Sequence, residues 1–163
     1  MSNHLINDRK DLKGMITLFK AYNSLTEFIK EDIKNTSFDI NEFGVFEIIY
    51  HKKKLSINEI KDKVLIANSS LSYILDKLEN KDLINKEKCE TDKRVTYISL
   101  SNKGLNKAEE IFPVHYDNLK QVFNTLTKEE EEMLITINKK IGLKAKELLK
   151  WYIYIKIKAL IRH

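Results

Sequence analysis

Ser69, Ser70, Ser72, Tyr73, Asp76 and Lys77 fall within one short stretch of the chain. They are small or hydrogen-bonding side chains, the kind that can approach a base edge or a phosphate closely. A second group follows in Lys86, Lys88, Lys93 and Arg94, whose charges suit phosphate contact. Between these cations lies Cys89, a candidate redox group, because its oxidation would shift the surrounding loop. Lys88 beside it favours the thiolate and Glu90 opposes it, so a spectator thiol is the competing reading.

Other familiar chemistries are absent from the sequence. His4, His51, His115 and His163 show no metal-ligand spacing, and the single cysteine excludes both a disulfide framework and a cysteine-rich zinc site. The carboxylates Glu129 to Glu132 occupy a helix start, where they favour the positive end of the dipole and need no catalytic role. There is no phosphate-binding glycine loop, HExxH or GxSxG motif. No enzyme activity, metal or cofactor is therefore expected. The opening MSNHLINDRKDLKG has no apolar signal core, and no run of about 18 apolar residues occurs, so a cytoplasmic address without a membrane span is expected.

The elements that must position these groups are mostly helical, given four Gly, one Pro and abundant Lys, Glu, Leu and Ile in 163 residues. Apolar steps of three and four predict a long helix from Leu12 to Lys34. Asp39, with Glu42 three residues on, predicts a capped second helix ended by Lys52-Lys53-Lys54. Ser56-Ile57-Asn58-Glu59 predicts a short third. Leu71, Ile74, Leu75 and Leu78 form the core stripe of a fourth, from about Asn68 or Ser69 to Asn80, whose other face carries the serines, Tyr73 and Lys77. Residues 83–88 and 95–100 then read as two strands of a hairpin. Ser101 caps a fifth helix running to about Asn124 with a kink at Pro113, and Thr127 to Glu130 starts a sixth. In WYIYIKIKALIRH a partial alternation competes with the helical period, and prolongation of the last helix is preferred.

This order describes a mainly α fold with a small β-hairpin wing, a winged helix-turn-helix flanked by helices at both ends. The fourth helix would enter a major groove and the basic hairpin the neighbouring minor groove of duplex DNA. The apolar stripes of the terminal helices need a partner surface, and a two-fold homodimer matches a pseudo-palindromic operator. The net charge of +5 is uneven. Residues 1–51 carry −2, 52–103 carry +4, 104–138 carry −4 and 139–163 carry +7.

The sequence resembles the MarR family of bacterial transcriptional regulators. The resemblance rests on Leu55 to Ile60, Ser69 to Glu79, Leu83-Ile84, Asp92-Lys93-Arg94, Leu100 to Gly104, and the Leu126 to Glu130 helix start. It implies a single domain with a winged-helix lobe over about 37–104, dimerisation helices over about 10–35 and 104–150, and a basic aromatic tail over 151–163. It also implies that Asp92 pairs with Arg94 and orients it, and that Arg94 enters the minor groove. Arginine suits that place because its guanidinium is planar, permanently charged and weakly hydrated. Asp82 stands where the family usually has Gly, and Asp tolerates a left-handed cap. The family's acidic-Pro wing tip is missing.

Ser69, Ser70, Ser72, Tyr73, Lys77, Lys93 and Arg94 are accordingly the expected DNA contacts. Phe19, Tyr22, Phe43, Phe46 and Tyr116 are candidates to line a pocket for a lipophilic or phenolic effector, with plain core packing as the competing reading. The function expected is a homodimeric DNA-binding regulator, a repressor released by such an effector or by an oxidant. The alternative is a protein-interaction or membrane-associated adaptor on the same scaffold, although no membrane partner is expected.

Overall fold

The computed structural model describes residues 12–64 and 68–160, with the side chains of 68, 69, 159 and 160 outside the description. The chain divides after Asn118 into two units, and the first holds the sheet and the main core.

In the first unit, α1 (Lys13–Ile33) leads through a 3-10 turn (Lys34–Thr36) to α2 (Ile40–Lys52). Both sides of the expected capping box at Asp39 form: its carboxylate accepts from Asn41 and Glu42 N–H at 2.9 Å, and Glu42 accepts from Asp39 N–H at 3.1 Å. Lys53 then takes φ 64° and ends the helix. Ser56 and Glu59 cap α3 (Ile57–Lys63) in the same reciprocal way. After it comes α4 (Asn68–Asn80). The hairpin of β2 (Ile84–Lys88) and β3 (Thr96–Leu100) is antiparallel, with Lys86 opposite Ile98.

One strand escaped the sequence reading. Lys54, expected only to end α2, begins β1 (Lys54–Ser56), which pairs antiparallel with β3 to give a sheet ordered β1-β3-β2. Its three residues are too few to show alternation in a sequence. The strand forms because Leu55 lies opposite Ile98 and buries its side chain.

Phe43, Phe46 and Ile49 of α2, Ile60 of α3, Leu71, Leu75 and Leu78 of α4, Ile98 of β3 and Phe112 form the core. Burying each such side chain contributes about 1.5–3 kcal/mol, so the helical stripes fix where the opposite faces point. Asp82 takes φ 57°, the left-handed conformation anticipated for it. Beside it, α5 (Asn102–Phe123) starts at Ser101, whose hydroxyl accepts from Gly104 N–H at 2.9 Å. A Cβ at Gly104 would lie 2.0 Å from the Leu83 carbonyl oxygen, so only glycine lets this helix approach the wing base so closely. As expected, Pro113 lies inside this helix, which continues through it to Phe123.

The second unit, from Leu119, contains the end of α5, a turn and α6 (Lys128–Leu160). Thr127 and Glu130 cap α6 reciprocally, at 2.8 and 3.2 Å. The tail that left two readings open is helical to Leu160, which makes α6 33 residues and about 50 Å long. Among the described residues no helix is long and apolar enough to cross a membrane.

Candidate nucleic-acid interface

With Leu71, Ile74, Leu75 and Leu78 turned inward, α4 presents Ser70, Ser72, Tyr73, Asp76 and Glu79 to solvent. Tyr73 is 68% exposed, which no core requirement explains. The side chain of Ser69 lies outside the described residues.

Lys77 belongs to the same helix but turns toward α2. Its ammonium contacts the carboxylate of Glu42, which is only 1% exposed, and lies 4.0 Å from Asp39. Lys81 stands 3.5 Å from the other Glu42 oxygen and donates to Ser37 C=O at 3.1 Å. The Glu42 hydrogen bond, ahead of other causes, raises the Lys77 pKa. A buried carboxylate is costly unless it is paired, so this contact holds α4 against α2. Glu42 was legible in the sequence only as a capping residue.

On the other flank, Lys86 of β2 reaches Asp76 at 2.6 Å and Glu79 at 2.8 Å, tying the wing to α4. Lys54 of β1 pairs with Glu87 at 2.6 Å. Two of the cations that look available for phosphate in the sequence, Lys77 and Lys86, together with Lys81, therefore fix the position of the helix.

The wing loop folds on itself through Val95 N–H to Asp92 C=O and Cys89 N–H to Val95 C=O, each at 2.9 Å. Asp92 accepts from Arg94 Nε at 3.0 Å, from a terminal Arg94 nitrogen at 3.2 Å and from Arg94 N–H at 3.0 Å. This is a bidentate fork, and the Arg94 bond lowers the Asp92 pKa. The Arg94 side chain is nevertheless 91% exposed, held in one orientation yet open to solvent. Lys88 and Lys93 are exposed nearby. Cys89 is half-buried, with Sγ 3.3 Å from the Thr91 hydroxyl, and that contact leads the causes that lower its thiol pKa.

Between α3, α4 and the wing lies a cleft of about 290 Å³ lined by Ser56, Asn58, Lys61, Ser72, Arg94 and Thr96 with Ile57 and Val95. Of its lining residues only Ser72 and Arg94 are among the DNA contacts expected from the sequence.

The five aromatic residues named for an effector pocket are distributed differently. Phe43 and Phe46 belong to the core, each in ring contact with Phe112, while Phe19 and Tyr22 are exposed on α1 at 56% and 59%. Tyr116 is at the border, half-buried, and donates to Glu47 at 3.2 Å while His51 Nε2 contacts the same hydroxyl. Desolvation first, then the Glu47 charge, pushes its pKa up to about 12. Next to it, His115 Nδ1 meets Asp32 at 2.5 Å and Asn118 donates to the other Asp32 oxygen at 2.5 Å, which joins α1 to α5.

A core-anchored helix with a polar outer face, capped by a short preceding helix and flanked by a three-stranded wing, defines the winged helix-turn-helix class. The sequence model of the MarR family matches residues 38–96. The HTH-type transcriptional regulator MhqR of Bacillus subtilis (strain 168) is 36% identical over 138 residues, covering 85% of this chain and 95% of that protein. Among solved structures, Sco3205, a MarR family transcriptional regulator from Streptomyces coelicolor in complex with DNA, superposes with a TM-score of 0.72 at 22% identity, covering 78% of this chain and 86% of that one. BpsR of Bordetella bronchiseptica, described with the regulation of its DNA binding by 6-hydroxynicotinic acid, gives 0.69 at 17% identity over 80% and 92% of the two chains. The chain belongs to the MarR family of transcriptional regulators.

Proposed function

We propose that the protein is a homodimeric regulator that occupies a pseudo-palindromic operator through α4 and the wing, and that it acts as a repressor released by a small ligand. The observation that carries this is Arg94, oriented by the Asp92 fork, 91% exposed, and beside the polar face of α4. Ser70, Ser72 and Tyr73 read the major groove with Ser69, and Arg94 enters the minor groove with Lys93 near the backbone. Lys77 supports the helix from behind.

Dimerisation is supported by the apolar side chains the chain leaves uncovered. Met15, Ile16, Phe19 and Tyr22 of α1 are about half exposed, as are Met133, Ile137, Ile141 and Leu148 of α6. A second copy is the partner that covers both and supplies the two-fold symmetry of the operator. A lipophilic or phenolic effector releases DNA by favouring a spacing of the two heads that no longer fits, and the regulation of BpsR DNA binding by 6-hydroxynicotinic acid supports the ligand-responsive part of this reading. Oxidation of Cys89 would act on the wing itself.

Selection from random duplexes tests this reading. It is expected to enrich an inverted repeat whose half-sites are centred about 34–36 Å apart. No enrichment over the starting pool would contradict it.

A further inference from the structure

The cations of the DNA-reading lobe divide into two populations. Lys54, Lys77, Lys81 and Lys86 are each held by a carboxylate of the same lobe. For Lys77 to reach a phosphate it would have to leave the buried carboxylate of Glu42 with one partner fewer. Lys86 is still more committed, with its side chain 21% exposed and two carboxylates within 2.8 Å.

Lys61 is different. It lines the cleft between α3, α4 and the wing and has no side-chain partner among the described residues, and neither has Asn58. Among the described residues no carboxylate lines this cleft. Five of its eight lining residues offer side-chain donors, and they come from three elements: Asn58 and Lys61 of α3, Ser72 of α4, Arg94 and Thr96 of the wing, whereas the Ser56 hydroxyl already donates to Glu59. Two acids adjoin it, each engaged with a lining residue: Glu59 accepts from Ser56 N–H and from the Ser56 hydroxyl at 2.7 Å each, and Asp92 grips Arg94 at 3.0 Å. A concave surface with an unpaired lysine and neutral donors, whose adjoining carboxylates are already engaged, is suited to an anion with several oxygens.

We propose that this cleft seats one phosphodiester of the DNA backbone, with Lys61 as its principal cation, Asn58, Ser72 and Thr96 as neutral donors and Arg94 at its rim, whereas Lys77 meets no phosphate and positions α4 through Glu42. The inference rests on the DNA-binding reading and adds which groups carry its sequence-independent part. Because the cleft joins α3, α4 and the wing, a phosphate seated there sets the register of all three on the duplex.

The test is the salt dependence of binding by the full chain, measured by fluorescence anisotropy on the selected duplex and on an unselected duplex of equal length. Each phosphate neutralised contributes about 0.9 to the slope of log K against log salt. Lys61→Gln is expected to lower that slope by about 2, one phosphate for each protomer of the proposed dimer, and to weaken both duplexes alike, with thermal melting unchanged, while Lys61→Arg keeps the slope. Lys77→Gln is expected to lower the melting temperature and leave the slope as in the parent. Should that variant fail to fold, the double variant Glu42→Gln with Lys77→Gln leaves no unpaired buried charge and is held to the same expectation. A parental slope in Lys61→Gln, or a loss in either Lys77 variant equal to that expected of Lys61→Gln, would overturn the proposal while leaving the DNA-binding reading standing. A parent that binds neither duplex would overturn the reading and the phosphate seat together.

Discussion

Arg94 and Asp92 show how a single pair of side chains sets a geometry at the surface. An exposed ion pair contributes little to stability. Its value here is orientation, since a free arginine explores many rotamers and one gripped at two nitrogens does not. Asp92→Asn is therefore expected to weaken operator binding several-fold while the melting temperature stays within about a degree, and a variant that binds as well as the parent would show that Arg94 needs no guide. Tyr116 offers a titration at the same scale. Its folded pKa, about 12, lies above the ordinary value of 10, so the folded state keeps a proton that the unfolded chain releases. That stabilisation is complete below pH 10 and is lost as pH rises toward 12. Denaturant unfolding at pH 9 and pH 11 is expected to show a smaller drop in Tyr116→Phe than in the parent, and equal drops would contradict the assigned environment.

Elements were legible where their signals are local. Asp39 with Glu42, Ser56 with Glu59 and Thr127 with Glu130 announce helix starts in the sequence, and all three caps form as read. Ser56→Ala is accordingly expected to cost about 1 kcal/mol in chemical denaturation, by removing the α3 cap. What the sequence could not show joins distant residues: the β1 pairing with β3, the Lys86 tie from wing to helix, and the Asp32 contact with His115, 83 positions apart. The candidate site divides the same way. The Ser70, Ser72 and Arg94 faces follow from helical period and the hairpin, but whether a lysine points outward depends on partners elsewhere, and Lys77 turns to Glu42. Gly104 belongs with these hidden constraints. Gly104→Ala forces a methyl into the Leu83 carbonyl and is expected to cost at least about 1–3 kcal/mol, read as a lower denaturant midpoint, and an unchanged midpoint would mean that α5 can retreat from the wing base.

At the scale of the whole molecule, charge and apolar surface are arranged in blocks. The largest positive surplus, +7, belongs to residues 139–163, outside the stretch of the winged helix, so the net charge of the chain does not mark the proposed DNA-reading face. The same α6 helix carries apolar side chains from Met133 to Ile157 that are at least about one-third exposed in a single copy. Sedimentation equilibrium is expected to give twice the 19.2 kDa of the chain, and a monomer at micromolar concentration would contradict the dimer. In the proposed dimer two copies would bring two α4 helices and two wings to one duplex, and reading by these elements can be tested at one residue. The decisive measurement is the affinity of Arg94→Ala for the selected operator across a salt series, beside the parent. A loss of about 1–3 kcal/mol is expected at each salt concentration. Binding as tight as the parent's throughout the series would contradict it.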